Sequence, residues 1–263
     1  PDLGLGKQLP GESPRGTSTG LHHDHADNLY ILVLGKKRFT ILSPNDAMKL
    51  YTVGNIYKIF NSGIIDYEID ENAPGWKHVR DDGAIIEEII YWQLDKSRLT
   101  NNGHDKEAEQ KLLNELQVHI KQHQAQQKAL KTTSGIRRDP PSFSKIPPAL
   151  LHLDELKDES IRKKIESFAN KFFPGVLQLN KLEVWLNPGE MLYLPAGWFH
   201  EVSSFGSDNN KDNIGGAHIA INYWFIPPNT TNFDDCYEDT YWKEDWEKTK
   251  QAMQLVKDGV VNL

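Results

Sequence analysis

Only one cysteine, Cys236, occurs in 263 residues, so the chain holds no internal disulfide framework and no multi-cysteine zinc site. Long apolar runs are missing too, and no stretch could span a bilayer as a helix. No secretory leader is visible; the chain opens on Pro1 rather than Met, and a preceding segment is expected. Positive charge is in deficit, 30 Lys and Arg against 37 Asp and Glu, for a formal net charge of −7. A nucleic-acid surface needs a basic stripe, so that partner is disfavoured, while a basic peptide suits the charge. Cytosol or nucleus is the expected compartment, and the length suffices for one large domain with a real core.

What is present is strand character at two separated places. "NLYILVLG" is an apolar, β-branched run, and "KKRFTILSP" follows after Gly35, which predicts two strands joined at a glycine turn between about 15 and 45. Strand signals return from Leu182, where "LEVWLNPGEMLYLPAGWFHEVSSF" holds three short runs broken by Pro-Gly and Pro-Ala-Gly, and "AHIAINYWF" makes a fourth. The intervening stretch, 46–179, reads as a mostly helical insertion. "AIIEEIIYWQL" is a helix or a buried strand; Leu112, Leu116 and Ile120 mark an amphipathic helix whose second half, "KQHQAQQKALK", is a solvated extension. "DESIRKKIESFANKFFPG" aligns Ile161, Ile165, Phe168 and Phe172 and stops at Pro174-Gly175. Residues 1–17 read as loop or the end of a longer strand system, "TTSGIRRDPPSFSKIPPA" as a Pro-rich connector, and the tail 232–263 as a packing helix that also offers a lid or a dimer surface. Short strands split around an insertion suit a double-sheet jelly roll or cupin-type barrel rather than βαβ units.

"LHHDHADN" carries the chemistry. On a strand, residues two apart share a face, so His22 and Asp24 can hold one ion while His23 points away. A second imidazole from another strand completes a two-histidine, one-carboxylate site that leaves positions open on Fe(II). His200 is the natural third ligand; His218 rivals it, and His25 with Asp27 rivals the first pair. The aromatics Tyr193, Trp198, Phe199, Tyr223 and Trp224 read mostly as core, and "DYEIDEN" and "DDCYED" as solvated surface.

"TSTGLHHDHADNLYILVLGKKRFTILSP", "NPGEMLYLPAGWFHEV" and "AHIAINYWF", in that order, resemble the JmjC-domain oxygenases, closest to the small JmjC-only protein hydroxylases. The resemblance covers roughly a third of the chain, both strand blocks, and leaves out the insertion and tail. It implies a double-stranded β-helix and selects His22, Asp24 and His200 as iron ligands. His25 and Asp27 break that register, so His23, His25 and Asp27 fall behind the ligands or on the surface. It also implies a 2-oxoglutarate pocket: Lys37 for the distal carboxylate, with Thr19, Asn28, Tyr30 and Asn222 near the co-substrate and Trp224 as a wall. Buried in a barrel, a bare carboxylate demands a cation and donors, while Lys36 should turn outward.

The activity so implied is Fe(II)-, 2-oxoglutarate- and O2-dependent hydroxylation of a protein side chain, lysine first, on a protein or peptide substrate. The alternatives are N-methyl-lysine demethylation, tRNA-base hydroxylation and a non-catalytic cupin-like binding module. A membrane partner is not expected, and a second copy of the chain is a candidate partner.

Overall fold

The computed structural model describes residues 16–73, 75–99, 106–132, 139–205 and 217–260. The opening Gly- and Pro-rich residues up to 15 and the "TSGIRR" part of the connector lie outside that set. Three-residue strand β1, Gly16–Ser18, leads to β2, Asp27–Leu34, and β3, Lys36–Leu42. Gly35 turns the chain between them at φ +87°, where a Cβ would lie 2.7 Å from the Phe205 carbonyl oxygen and 2.8 Å from the His218 Cβ. Only glycine fits that turn. Four later strands complete the barrel: β6, Lys181–Leu186; β7, Met191–Leu194; β8, Phe199–Phe205; and β9, Ile219–Phe225. They form two antiparallel sheets, ordered β1-β8-β3-β6 and β7-β2-β9.

Alternation decides what lies between the sheets. Phe39, Ile41, Leu186 and Val202 from one sheet meet Leu32 and Leu194 from the other, with Tyr30, Val184, Leu192, Trp198 and Ala220 packed against them. Each such side chain contributes roughly 1.5–3 kcal/mol on burial. This is the two-sheet jelly roll that the strand pattern predicts.

The outer face of the β1-β8-β3-β6 sheet is covered by the insertion. Leu21, Leu42 and Phe199 pack with Leu50, Ile65, Tyr67, Ile146, Leu150 and Leu151 in a second core. The insertion holds α1, Ile86–Leu99, α2, Lys106–Thr132, and α3, Glu159–Phe172, but also a hairpin that the sequence reading did not anticipate: β4, Ile56–Ile59, and β5, Ile65–Tyr67. "AIIEEIIYWQL" is thus helix rather than buried strand. α2 meets α1 through Leu116, Ile90 and Leu94, and runs on to Thr132 with Lys121, Gln122 and Gln124 exposed. Asp158 caps α3 by accepting from the Ser160 and Ile161 N–H groups. The tail helix α4, Tyr241–Lys257, docks on α1 through Tyr241, with Trp92 and Trp242 beside it.

Two expectations fail here. "DYEIDEN" is not simply solvated: Asp66 and Tyr67 are buried, because β5 faces the second core. Nor are all five barrel aromatics core. Phe199 is fully buried, but Tyr193, Tyr223 and Trp224 keep 50–57 % of their surface exposed. Tyr193 and Tyr223 pair with Leu29 at outward positions of the β7-β2-β9 sheet, alongside the half-exposed Val33, Met191 and Ile221. No helix among the described residues is long and apolar enough to cross a membrane.

Candidate metal centre

His22 lies in the segment between β1 and β2, and the backbone pins it to β8. The His22 N–H donates to the His200 carbonyl (3.1 Å) and the His200 N–H donates back to that of His22 (2.7 Å). This reciprocal pair places the two imidazoles side by side, ring centroids 4.4 Å apart. Phe143 of the insertion stacks on His22 at 4.8 Å and 14°. Asp24, two residues on, is held by its own carbonyl, which accepts from the Gly197 N–H at 2.9 Å. One ligand atom from each of His22, Asp24 and His200 lies within 4.8 Å of the others. The structure therefore brings together three residues that the sequence separates by up to 178 positions.

The hydrogen bonds fix the tautomers. His22 Nδ1 faces the Gly20 carbonyl and His200 Nδ1 the Trp198 carbonyl, each at 3.0 Å. A carbonyl only accepts, so each Nδ1 carries the hydrogen and each neutral ring presents an Nε2 lone pair. Burial, and then the neighbouring His22 ring, push the His200 pKa down to about 3, so this ring is neutral at physiological pH. Its Nε2 stands 3.5 Å from Asp24 Oδ2. Burial raises the Asp24 carboxyl, while the adjacent His22 opposes that shift. Two acceptor atoms so placed are satisfied by a cation at their meeting point. The donor set, two imidazole nitrogens and a carboxylate oxygen, fits Fe(II) and leaves room for further ligands.

The rival histidines lie elsewhere. His23 is 1 % exposed and its Nδ1 faces the Asp24 carbonyl. Its Nε2 accepts from the Tyr67 hydroxyl at 2.5 Å. Burial and the His25 charge hold it far below the usual histidine range. His25 packs near His23 and Trp76, with its buried Nε2 unpartnered. Asp27 is 9 % exposed and accepts from the Tyr193 hydroxyl and the Ala196 N–H, both at 2.8 Å. Neither His23 nor Asp27 is a surface residue: His23 ties the 19–26 segment to the β4–β5 hairpin through Tyr67, and Asp27 ties it to the 195–198 turn.

Further along the same barrel face lies a buried cation. Lys37, 5 % exposed, donates to Ser204 Oγ at 2.5 Å and to His218 Nδ1 at 2.9 Å. Burial lowers its pKa. Ile41 pairs with His200 and Lys37 with Ser204, so the lysine's Cα is four residues along the strand, about 13 Å, from the metal-side end. Lys36 turns out over the Trp185 ring, as alternation predicts. On the opposing sheet, Asn28 pairs with Trp224 and Tyr30 with Asn222. Asn28 is buried with its Oδ1 unpartnered, and Tyr30 packs edge-on against Phe39. The Thr19 hydroxyl is committed to backbone, accepting from the Val202 N–H and donating to the Gly20 carbonyl. Sequence reasoning missed Ser204, which the period-2 step from His200 would have supplied, and weighed His218 only as a ligand.

A second group, His152, Glu155 and Glu183, also brings ligand atoms within 4.8 Å of one another. There Arg38 already pairs with Glu155, and the His152 nitrogens face Glu155 and Glu201 at 3.4 and 3.1 Å. It ties the insertion to the barrel's outer face.

A family model described as a cupin-like domain matches residues 12–231. The chain belongs to the cupin-like family. Among curated proteins it is similar to JmjC domain-containing protein 4 of Schizosaccharomyces pombe, 31 % identical over 279 residues that cover 87 % of this chain and 56 % of that protein. It is also similar to lysine-specific demethylase JMJ32 of Arabidopsis thaliana, 26 % identical over 207 residues, 79 % of this chain and 38 % of that protein. A shorter match, 36 % over 53 residues, is to JmjC domain-containing protein E of Dictyostelium discoideum. This cupin-like JmjC domain thus spans about half the length, or less, of the curated relatives it matches.

Proposed function

We propose that this cupin-like domain is an Fe(II)- and 2-oxoglutarate-dependent oxygenase that hydroxylates a protein side chain, lysine first, as in the small JmjC-only hydroxylases. One observation carries the reading: a neutral imidazole lone pair faces a carboxylate oxygen at 3.5 Å beside a second imidazole, a geometry that a cation satisfies. His22, Asp24 and His200 hold the iron. When bound with 2-oxoglutarate and O2, iron supplies the oxidising power to remove hydrogen from an unactivated C–H bond. Lys37 and Ser204 bind the co-substrate's distal carboxylate, and the unpartnered Asn28 amide oxygen faces the same interior. Tyr30, Phe39 and Val202 make the space between apolar, which keeps water from the reacting centre. Trp224, half exposed and opposite Asn28, stands at the mouth rather than in a sealed wall.

The substrate is a basic protein or peptide, in keeping with the net charge of −7. Demethylation of N-methyl-lysine is the second reading, favoured by the printed name of the Arabidopsis relative. Incubation of the full chain with Fe(II), 2-oxoglutarate, O2 and peptides containing lysine or N-methyl-lysine tests both. Iron-dependent succinate release with a gain of one oxygen in the peptide is expected; loss of a methyl group would select the second reading. Failure of the iron-loaded protein to bind 2-oxoglutarate refutes the oxygenase and leaves a binding module.

A further inference from the structure

His218 precedes β9 and has no place in the iron site, yet it touches the one buried ammonium among the described residues. Its Nδ1 is 2.9 Å from Lys37 Nζ. An ammonium has only donors, so the imidazole accepts through Nδ1 and its hydrogen sits on Nε2. The fold makes room for this contact at one residue: a Cβ at Gly35 would lie 2.8 Å from the His218 Cβ. Lys37 is buried while His218 is exposed, so the imidazole caps the inner cation from the solvent side. Among the described residues, the charged group that acts on it is Lys37, while Lys36 lies over the Trp185 ring.

We propose that His218 is a proton-coupled cap on Lys37: the neutral imidazole accepts from the ammonium, yields it to an incoming carboxylate, and takes up one proton from solvent to become a second cation beside that anion. The inference rests on Lys37 as the anchor of the co-substrate's distal carboxylate. Charge balance drives the exchange. A protonated His218 cannot accept from Lys37 and is repelled by it; a carboxylate between them accepts from both and offsets the repulsion. The burial and Lys37 charge that lower His218's proton affinity are the terms on which a carboxylate acts. Affinity for a dicarboxylate therefore strengthens as pH falls through the window between the free and ligand-bound pKa of His218. Each unit of separation between them is worth about tenfold in affinity. His218 is on this account a positioning residue that sets co-substrate affinity, and it does not touch the reacting atoms.

The test is calorimetric binding of 2-oxoglutarate to the full chain loaded with Mn(II), in two buffers of different ionisation heat. Net uptake of up to one proton per 2-oxoglutarate is expected for the wild type, and none for His218→Ala, which still binds but loses the pH dependence. No uptake by the wild type, or equal uptake by His218→Ala, overturns the proposal. Lys37→Met separates the two ideas. If that variant binds 2-oxoglutarate as the wild type does, the pocket assignment itself fails. A second readout needs no metal: the His218 imidazole, followed by NMR titration, should titrate at higher pH in Lys37→Met than in the wild type. An unchanged midpoint would mean that the two groups do not interact, and the cap is refuted.

Discussion

Gly197 links the barrel to the ligands, and its substitution by alanine tests that link. The residue sits in the Pro-Ala-Gly turn before β8 at φ +75°, and its N–H holds the Asp24 carbonyl. A Cβ there would lie 1.7 Å from the Gly63 carbonyl oxygen, in the β4–β5 turn, where contacts under 3.0 Å are essentially never seen. Backbone faces backbone, so no side chain can rotate away. The left-handed conformation costs an L-residue about 1–2 kcal/mol. Overpacking adds roughly 1–3 kcal/mol. Gly197→Ala should therefore lose about 2–5 kcal/mol in urea unfolding with an unchanged m-value, a large share of the roughly 5–15 kcal/mol typical of a domain. Because a metal site tolerates shifts of only about 0.5 Å, the folded variant should also bind Fe(II) or Mn(II) roughly 10–100-fold more weakly. Wild-type stability would refute the packing argument. Lost stability with unchanged metal affinity would refute the claim that this turn sets the ligands.

Three further outcomes follow from the same geometry. His22→Ala should reduce metal binding by more than the roughly 10–100-fold typical of outer-shell changes, with an unfolding midpoint near wild type because the His22–His200 pairing is made by backbone; isothermal titration and circular dichroism read the two effects. Tyr67→Phe removes the donor to a buried His23 nitrogen and should cost about 1–3 kcal/mol in urea unfolding. For Asp239, burial pushes the carboxyl up, but hydrogen bonds from Arg80 and the Tyr241 N–H outweigh it and hold the group below its usual range. A depressed carboxylate stabilises the fold above its unfolded-state pKa near ~4 and ceases to do so as pH falls through the folded value. Asp239→Asn should thus lose up to about 1 kcal/mol at pH 7, given its partial exposure, and nothing against wild type once both are compared in strong acid.

The barrel was legible because period-2 alternation survives in short strands and because Gly35 and the Pro-Ala-Gly turn mark where they reverse. Alternation says which residues share a face; it does not say whether that face is covered. Tyr193 and Tyr223 therefore read as core while being half exposed, and Asp66 read as solvated while accepting from Trp76 and His78 in the interior. The β4–β5 hairpin escaped notice because "NSG" and its three- and four-residue strands give too little periodicity to separate from loop. In the site, the His-x-Asp spacing supplied two candidate ligands but not their partner. Spacing left His200 and His218 open, and the family resemblance chose between them. The contacts explain the choice afterwards: His200 pairs with His22, whereas His218 lies on Lys37. Ser204 was missed although counting two and four residues past His200 would have found it, whereas the role of His218 depended on a chain reversal that no local pattern encodes.

The proposed ligands are placed by the fold before any ion arrives. Two reciprocal backbone hydrogen bonds set His22 against His200, two carbonyls fix their tautomers, and the Gly197 N–H anchors Asp24. Asp27 then locks the ligand loop to the same turn through Ala196 and Tyr193. None of these bonds uses a ligand atom. A site so built loses little conformational entropy on binding metal, but it holds lone pairs in mutual opposition without one. Metal should therefore raise the unfolding midpoint by mass action, in proportion to the logarithm of its concentration over Kd. It should leave the far-ultraviolet circular dichroism unchanged, and a metal-free chain that gained secondary structure on adding Fe(II) or Mn(II) would contradict this account of the barrel.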